Sequence, residues 1–165
     1  MAEKLSVLRY CDIDHDEIAK LLARYQLEIE VTEDNHDIPG SYWGDEEAGL
    51  IGNRLYVRAD TPLHSILHES CHYICMDNDR RKKLHTDAKS DNEEENAVCY
   101  LQVLLAEKLS LTSREHLFGD MDTWGYSFRL GSTKAWFLQD ASEARDWLLN
   151  FELIDAQNRP TFRLR

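Results

Sequence analysis

The sequence predicts an α+β fold, in which a small antiparallel sheet packs on a central helix and on a second helix that follows it. Three observations predict this. Leu27, Ile29 and Val31 alternate with Glu28, Glu30 and Thr32, the period of a half-buried strand. Two short apolar runs, 48–51 and 54–58, flank Gly52-Asn53, a pair suited to a tight hairpin. Leu63, Leu67, Cys71 and Ile74 then recur at i, i+4, i+8 and i+11, one apolar stripe along a helix.

The elements follow in order. Asp14 and Glu17 form a D-x-x-E capping box ahead of Ile18, Leu21, Leu22 and Tyr25, which predicts a helix of about three turns. The alternating strand comes next, then a loop over 33–40, a short strand around Tyr42-Trp43 and the hairpin. Pro62 suits the first turn of the central helix, with Thr61 or Asp60 as its cap. Ile66, Tyr73 and Cys75 widen its stripe, so this helix is expected to be largely buried. Residues 77–83 are a charged exit and 85–91 a polar loop.

Ser90 and Glu93 make a second capping box. The helix over about 93–109 turns Ala97, Val98, Leu101, Leu104, Leu105 and Leu109 inward. Ser113, His116 and Leu117 start a short helical piece, and 120–129, rich in aromatic and acidic residues, fits no period. A last helix over 142–151 puts Ala144, Trp147, Leu148 and Phe151 on one side, and 155–165 reads as a tail.

A chain of 165 residues is expected to form one domain spanning 1–165, long enough for a core without covalent staples. The net charge of −12 argues against a nucleic acid or an anionic membrane as partner and leaves a peptide or protein. The first residues hold no apolar run suited to a signal peptide or membrane span, so a cytoplasmic location is expected. Cys11, Cys71, Cys75 and Cys99 form no C-x-x-C pair and read as reduced, mostly buried thiols. Cys71 as a nucleophile is the weaker reading, because it sits where core packing is expected.

The central helix carries His68-Glu69-Ser70-Cys71-His72, an H-E-x-x-H pattern. Helical positions four apart share a face, so His68 and His72 could offer two imidazole nitrogens to one Zn²⁺. Glu69 would then sit beside the ion, placed to take a proton from a zinc-bound water. In a buried helix two His and one Glu need partners, and a metal is the simplest partner for all three.

A catalytic zinc takes three protein ligands and keeps one position open. The candidate third ligand lies in Glu93-Glu94-Glu95, at the start of the next long helix. Glu94 continues the core-facing stripe of Val98, Leu101 and Leu105, whereas Glu95 falls on the Cys99–Gln102 side. Glu94 is therefore the first choice and Glu95 the second. The plainer reading makes all three a solvated first turn favoured by the helix dipole. Asp120 or Asp122 is a more remote candidate.

These residues resemble the gluzincins, zinc peptidases with H-E-x-x-H on one helix and a glutamate on a following one. The 22-residue offset from His72 to Glu94 lies within that family's range. Glu94-Glu95-Asn96-Ala97 matches the local form E-x-x-A, but Val98 replaces the acidic or amide residue that would support a zinc-bound histidine. Cys75 and Asn78 occupy the offsets where a metzincin needs Gly and His. By size the chain looks most like the minigluzincins and the ImmA/IrrE-type regulatory peptidases, over about residues 41–106.

The resemblance implies a zincin-like fold, one Zn²⁺ held by His68, His72 and Glu94, and peptide hydrolysis with Glu69 as general base. Tyr126 is the chosen donor to the oxyanion, with His116, Arg129 and Tyr100 as alternatives. A strand beside the active helix, 54–58 or the Tyr42-Trp43 segment, would bind substrate as an added strand. The alternative function is a catalytically silent binding or regulatory module on the same scaffold, acting through one partner.

Overall fold

The computed structural model describes residues 6–41, 46–84 and 90–165. Among them are seven α-helices and a mixed three-stranded sheet. Helix α1 is His15–Ala23, and strands β1, β2 and β3 are Glu28–Val31, Gly49–Ile51 and Arg54–Val57. Helices α2 (Leu63–Cys75), α3 (Asn78–Lys82) and α4 (Asn92–Ala106) follow, then α5 (Arg114–Trp124), α6 (Thr133–Gln139) and α7 (Ser142–Asn150). None is long and apolar enough to cross a membrane. The expected Tyr42-Trp43 strand and most of the 85–91 loop lie outside the described residues.

The sheet corrects the all-antiparallel expectation. Its order is β1-β3-β2. The Gly52-Asn53 hairpin pairs β2 with β3 antiparallel, Leu50 opposite Leu55, but β1 runs parallel to β3, Ile29 opposite Leu55. Strand β3 is therefore central, and no further strand can be added to it. On the far side of β2 the chain at Gly40 (φ +75°) lies so close that a Cβ there would come 2.8 Å from Leu50 N. The alternation in β1 also needs correction: Leu27, just before the strand, is buried and Ile29 half-buried, but Val31 is 61% exposed.

Helix α2 is the centre of the core. It packs on β2, β3, α4 and α5, and Leu63, Ile66, Leu67, Cys71 and Ile74 are fully buried. Its start is held otherwise than expected. Pro62 is the N-cap, and its ring nitrogen carries no hydrogen that would need a partner. The Leu63 amide donates to Leu8 O at 2.8 Å, while Thr61 Oγ1 accepts from Arg58 N and Asp60 pairs with Arg58. Ser65 Oγ accepts from Ala48 N at 2.9 Å and so ties the entry of β2 to α2.

Helix α4 crosses α2 and carries α7 and α5 on its other faces. Asp91 caps it, accepting from Glu94 N at 2.8 Å, so the expected Ser90–Glu93 box is not formed. Residues 120–124 finish α5, and Gly125 ends it in the left-handed region (φ +106°), a conformation glycine adopts without strain. The tail is not loose: residues 154 and 160 bridge, and Arg165 N donates to Ile74 O at 3.0 Å.

Candidate metal centre

Two helices build the site. On α2, His68 and His72 lie one turn apart, and their Nε2 atoms are 3.1 Å from each other. On α4, Glu95 reaches both: Oε1 is 3.1 Å from His68 Nε2, and Oε2 is 3.1 Å from His72 Nε2. Among the described residues these are the one group whose donor atoms converge in a way that could hold a metal ion, all within 4.8 Å. The histidine side chains are 16% and 9% exposed and Glu95 42%, so the group opens to solvent on the Glu95 side.

Glu94 does not join them, which corrects the first choice of third ligand. Glu94 does continue the buried stripe of α4, at 3% exposure. At that height, however, the stripe meets the end of α2 and two guanidinium groups. Arg80 binds both carboxylate oxygens of Glu94, and Arg165 Nη1 donates to Oε1 at 3.0 Å. The histidines are faced by the next row around α4, Glu95, Cys99 and Gln102, at i, i+4 and i+7. Ser90 Oγ, freed from capping, donates to Glu95 Oε2 at 3.0 Å.

Gln102 is the residue beside this group that sequence reasoning passed over. Its Nε2 donates to the His64 main-chain carbonyl at 2.9 Å. A carbonyl only accepts, so the amide nitrogen must face it, and Oε1 faces His68 Nδ1 at 3.0 Å. His68 Nδ1 must then carry a proton, so Nε2, facing the Glu95 carboxylate, is the position left for a second proton or a cation. Either a proton or a metal ion at that position would complement the carboxylate. A ligating histidine held through its other nitrogen is the usual outer arrangement of a metal site. The one cue in the sequence was a polar residue inside the apolar run of α4.

A zinc ion fits the donor set. Ligand atoms about 2.0 to 2.1 Å from a tetrahedral zinc lie about 3.3 Å apart, and the measured separations are each 3.1 Å. Two imidazoles and a carboxylate are the donor chemistry of catalytic zinc. His72 Nδ1 is buried with no hydrogen-bond partner, so the ring's polar contacts are those of Nε2 within the group. Burial works to raise the Glu95 pKa, but hydrogen bonds from His68 and His72 outweigh it and hold the carboxyl well below its usual range.

A cleft of about 290 Å³ adjoins the group, lined by Glu47, His64, Ser65, His68, Glu69, Trp124, Gly125 and Tyr126. Glu69 is half-buried, and burial raises its pKa. The turn at Gly125 brings Tyr126 over α2, its ring 5.7 Å from that of His68. Gln102 Nε2 donates to the Tyr126 hydroxyl at 3.4 Å, and the hydroxyl in turn donates to His64 Nδ1 at 3.2 Å. Burial pushes Tyr126 up to about 12, so it stays a phenol. His64 is 1% exposed, and burial drives its pKa down to about 3. Trp124 Nε1 donates to Glu47 Oε1 at 3.2 Å.

The other sequence candidates are engaged elsewhere. His116 pairs with Asp120, which also accepts from Leu8 N, and Asp122 accepts from Thr133. Arg129 pairs with Asp140, and Tyr100 Oη accepts from Asn158. Cys71, Cys75 and Cys99 are buried free thiols, and burial holds Cys71 well above the usual thiol range, so it does not act as a thiolate.

The chain matches no family model, no curated protein and no solved structure.

Replacing Gln102 by Leu is expected to free His68 Nδ1 and weaken zinc binding about 10- to 100-fold while the helices persist. Competition titration against a zinc chelator reads the change, and unaltered affinity would contradict the role given to Gln102.

Proposed function

We propose that the protein is a zinc-dependent peptidase of the gluzincin type, acting on a cytoplasmic peptide or protein. The observation that carries the reading is the convergence of His68, His72 and Glu95 beside a cleft that also holds Glu69. Buried free thiols accord with a reducing compartment.

In this reading His68, His72 and Glu95 hold the zinc, with Glu95 taking the place that the resemblance gave to Glu94. The offset from His72 then becomes 23 residues, and the E-x-x-A form no longer coincides with the ligand. Gln102 supplies the support for a histidine that Val98 cannot. A bound zinc would supply a Lewis acid that polarises a substrate carbonyl and acidifies a water.

The remaining steps belong to the chain's own groups. Glu69, with its proton affinity raised by burial, accepts the proton of the attacking water and returns it to the leaving amine. Tyr126 stays protonated and lines the same cleft, and its one hydroxyl proton, turned from His64 Nδ1, would serve the developing oxyanion. Trp124 and Glu47 line the same cleft.

The test is hydrolysis of a mixed peptide pool by the zinc-loaded protein, read by mass spectrometry. Cleavage that a chelator stops and added zinc restores is the expected result. Zinc bound with no cleavage of any peptide would overturn the peptidase reading and leave a silent module of this architecture.

A further inference from the structure

The metal group depends on two helices keeping a fixed separation, and one side chain joins them at the turn next to the ligands. Arg165 Nη1 donates to Cys75 O at 3.3 Å, one turn beyond His72 on α2, and to Glu94 Oε1 at 3.0 Å, the neighbour of Glu95 on α4. Its guanidinium lies over Phe151 at 4.1 Å and Trp147 at 5.2 Å, which fixes it against α7. Its backbone is anchored separately, Arg165 N to Ile74 O at 3.0 Å and Arg81 Nη2 to Arg165 O at 3.0 Å. Glu94, with a side chain 4% exposed, receives Arg80 from α3 as well.

We infer that Arg165 and Glu94 form a clamp that positions Glu95 against His68 and His72 and thereby sets the affinity of the metal centre. This rests on the zinc reading above. A buried carboxylate is fixed by its cations, because leaving either side unpaired is costly. Fixing Glu94 fixes the first turn of α4, and Glu95 is the next residue. The main-chain bonds of residue 165 survive any substitution there, so the side chain alone can be tested.

Zinc affinity is measured by competition with a chromophoric chelator on the full chain. Arg165→Ala is expected to weaken binding about tenfold. Arg165→Lys should recover most of the loss, since a single nitrogen makes both bonds. Arg163→Ala in the same segment, where Arg163 makes a surface pair with exposed Glu152, should bind as the wild type does. Arg165→Ala with Glu94→Gln should cost no more than the larger single loss, as two members of one unit do. Equal affinity in Arg165→Ala and wild type, or an equal loss in Arg163→Ala, overturns the clamp. Should Arg165→Ala not fold, equal affinity in Arg165→Lys and Arg165→Gln overturns it instead. A folded wild type that binds no zinc is told apart from these results and removes the metal centre and the clamp together.

Discussion

Glu69→Gln is expected to lower peptide hydrolysis by about 10²- to 10⁴-fold, the range for losing a positioned general base, and to leave the zinc content at wild-type level. The substitution keeps the shape and volume of the side chain and removes only its capacity to take a proton. Glu69 is not among the three converging donors, and it lines the cleft that adjoins them. Metal retention with lost turnover therefore separates a base from a ligand. A variant that hydrolyses at the wild-type rate would remove Glu69 from the chemistry. One that loses zinc would make it part of the metal's environment.

Glu95→Gln is expected to act in the opposite way, on the metal first. The amide replaces a carboxylate held ionised by His68 and His72, and its NH₂ group cannot coordinate a cation. Zinc affinity should fall by more than the roughly 10- to 100-fold that attends loss of an outer partner. Glu94→Gln tests the same question from the neighbouring position. It leaves the guanidinium groups of Arg80 and Arg165 without their shared counter-charge, at an expected cost of about 1–3 kcal/mol of unfolding free energy, discounted for the exposure of both arginines. At saturating metal that variant should still hold one zinc per chain. Chelator titration and urea unfolding, run on the two variants side by side, read both effects.

The contrast between Glu94 and Glu95 also marks how far the sequence could be read. Periodicity located α2 and α4 within a few residues and identified the inward stripe of α4, Glu94 included. It could not say what the stripe would meet at its first turn, because Arg165 lies 71 residues further along the chain. Gln102 and His64 were hidden for the same reason. The bond from His68 to Gln102 spans 34 residues and that from His64 to Tyr126 spans 62, and no local pattern encodes such pairs. In the sheet, alternation announced β1 as a strand and the Gly52-Asn53 pair announced the hairpin. Neither carried the information that β1 would lie parallel to β3. The helix N-caps fell between these cases: Asp14 was legible because its capping partner is local, whereas α2 starts at Pro62 with its first amide bound to the distant Leu8 carbonyl.

The most direct test of the account is the zinc content of the purified wild-type chain after dialysis, measured by elemental analysis beside Glu95→Gln. One zinc per chain in the wild type and a loss of that zinc in Glu95→Gln is the result the account requires. A folded wild-type protein that retains no zinc, even after incubation with it, would contradict the metal centre and with it the reading of His68, His72 and Glu95 as ligands.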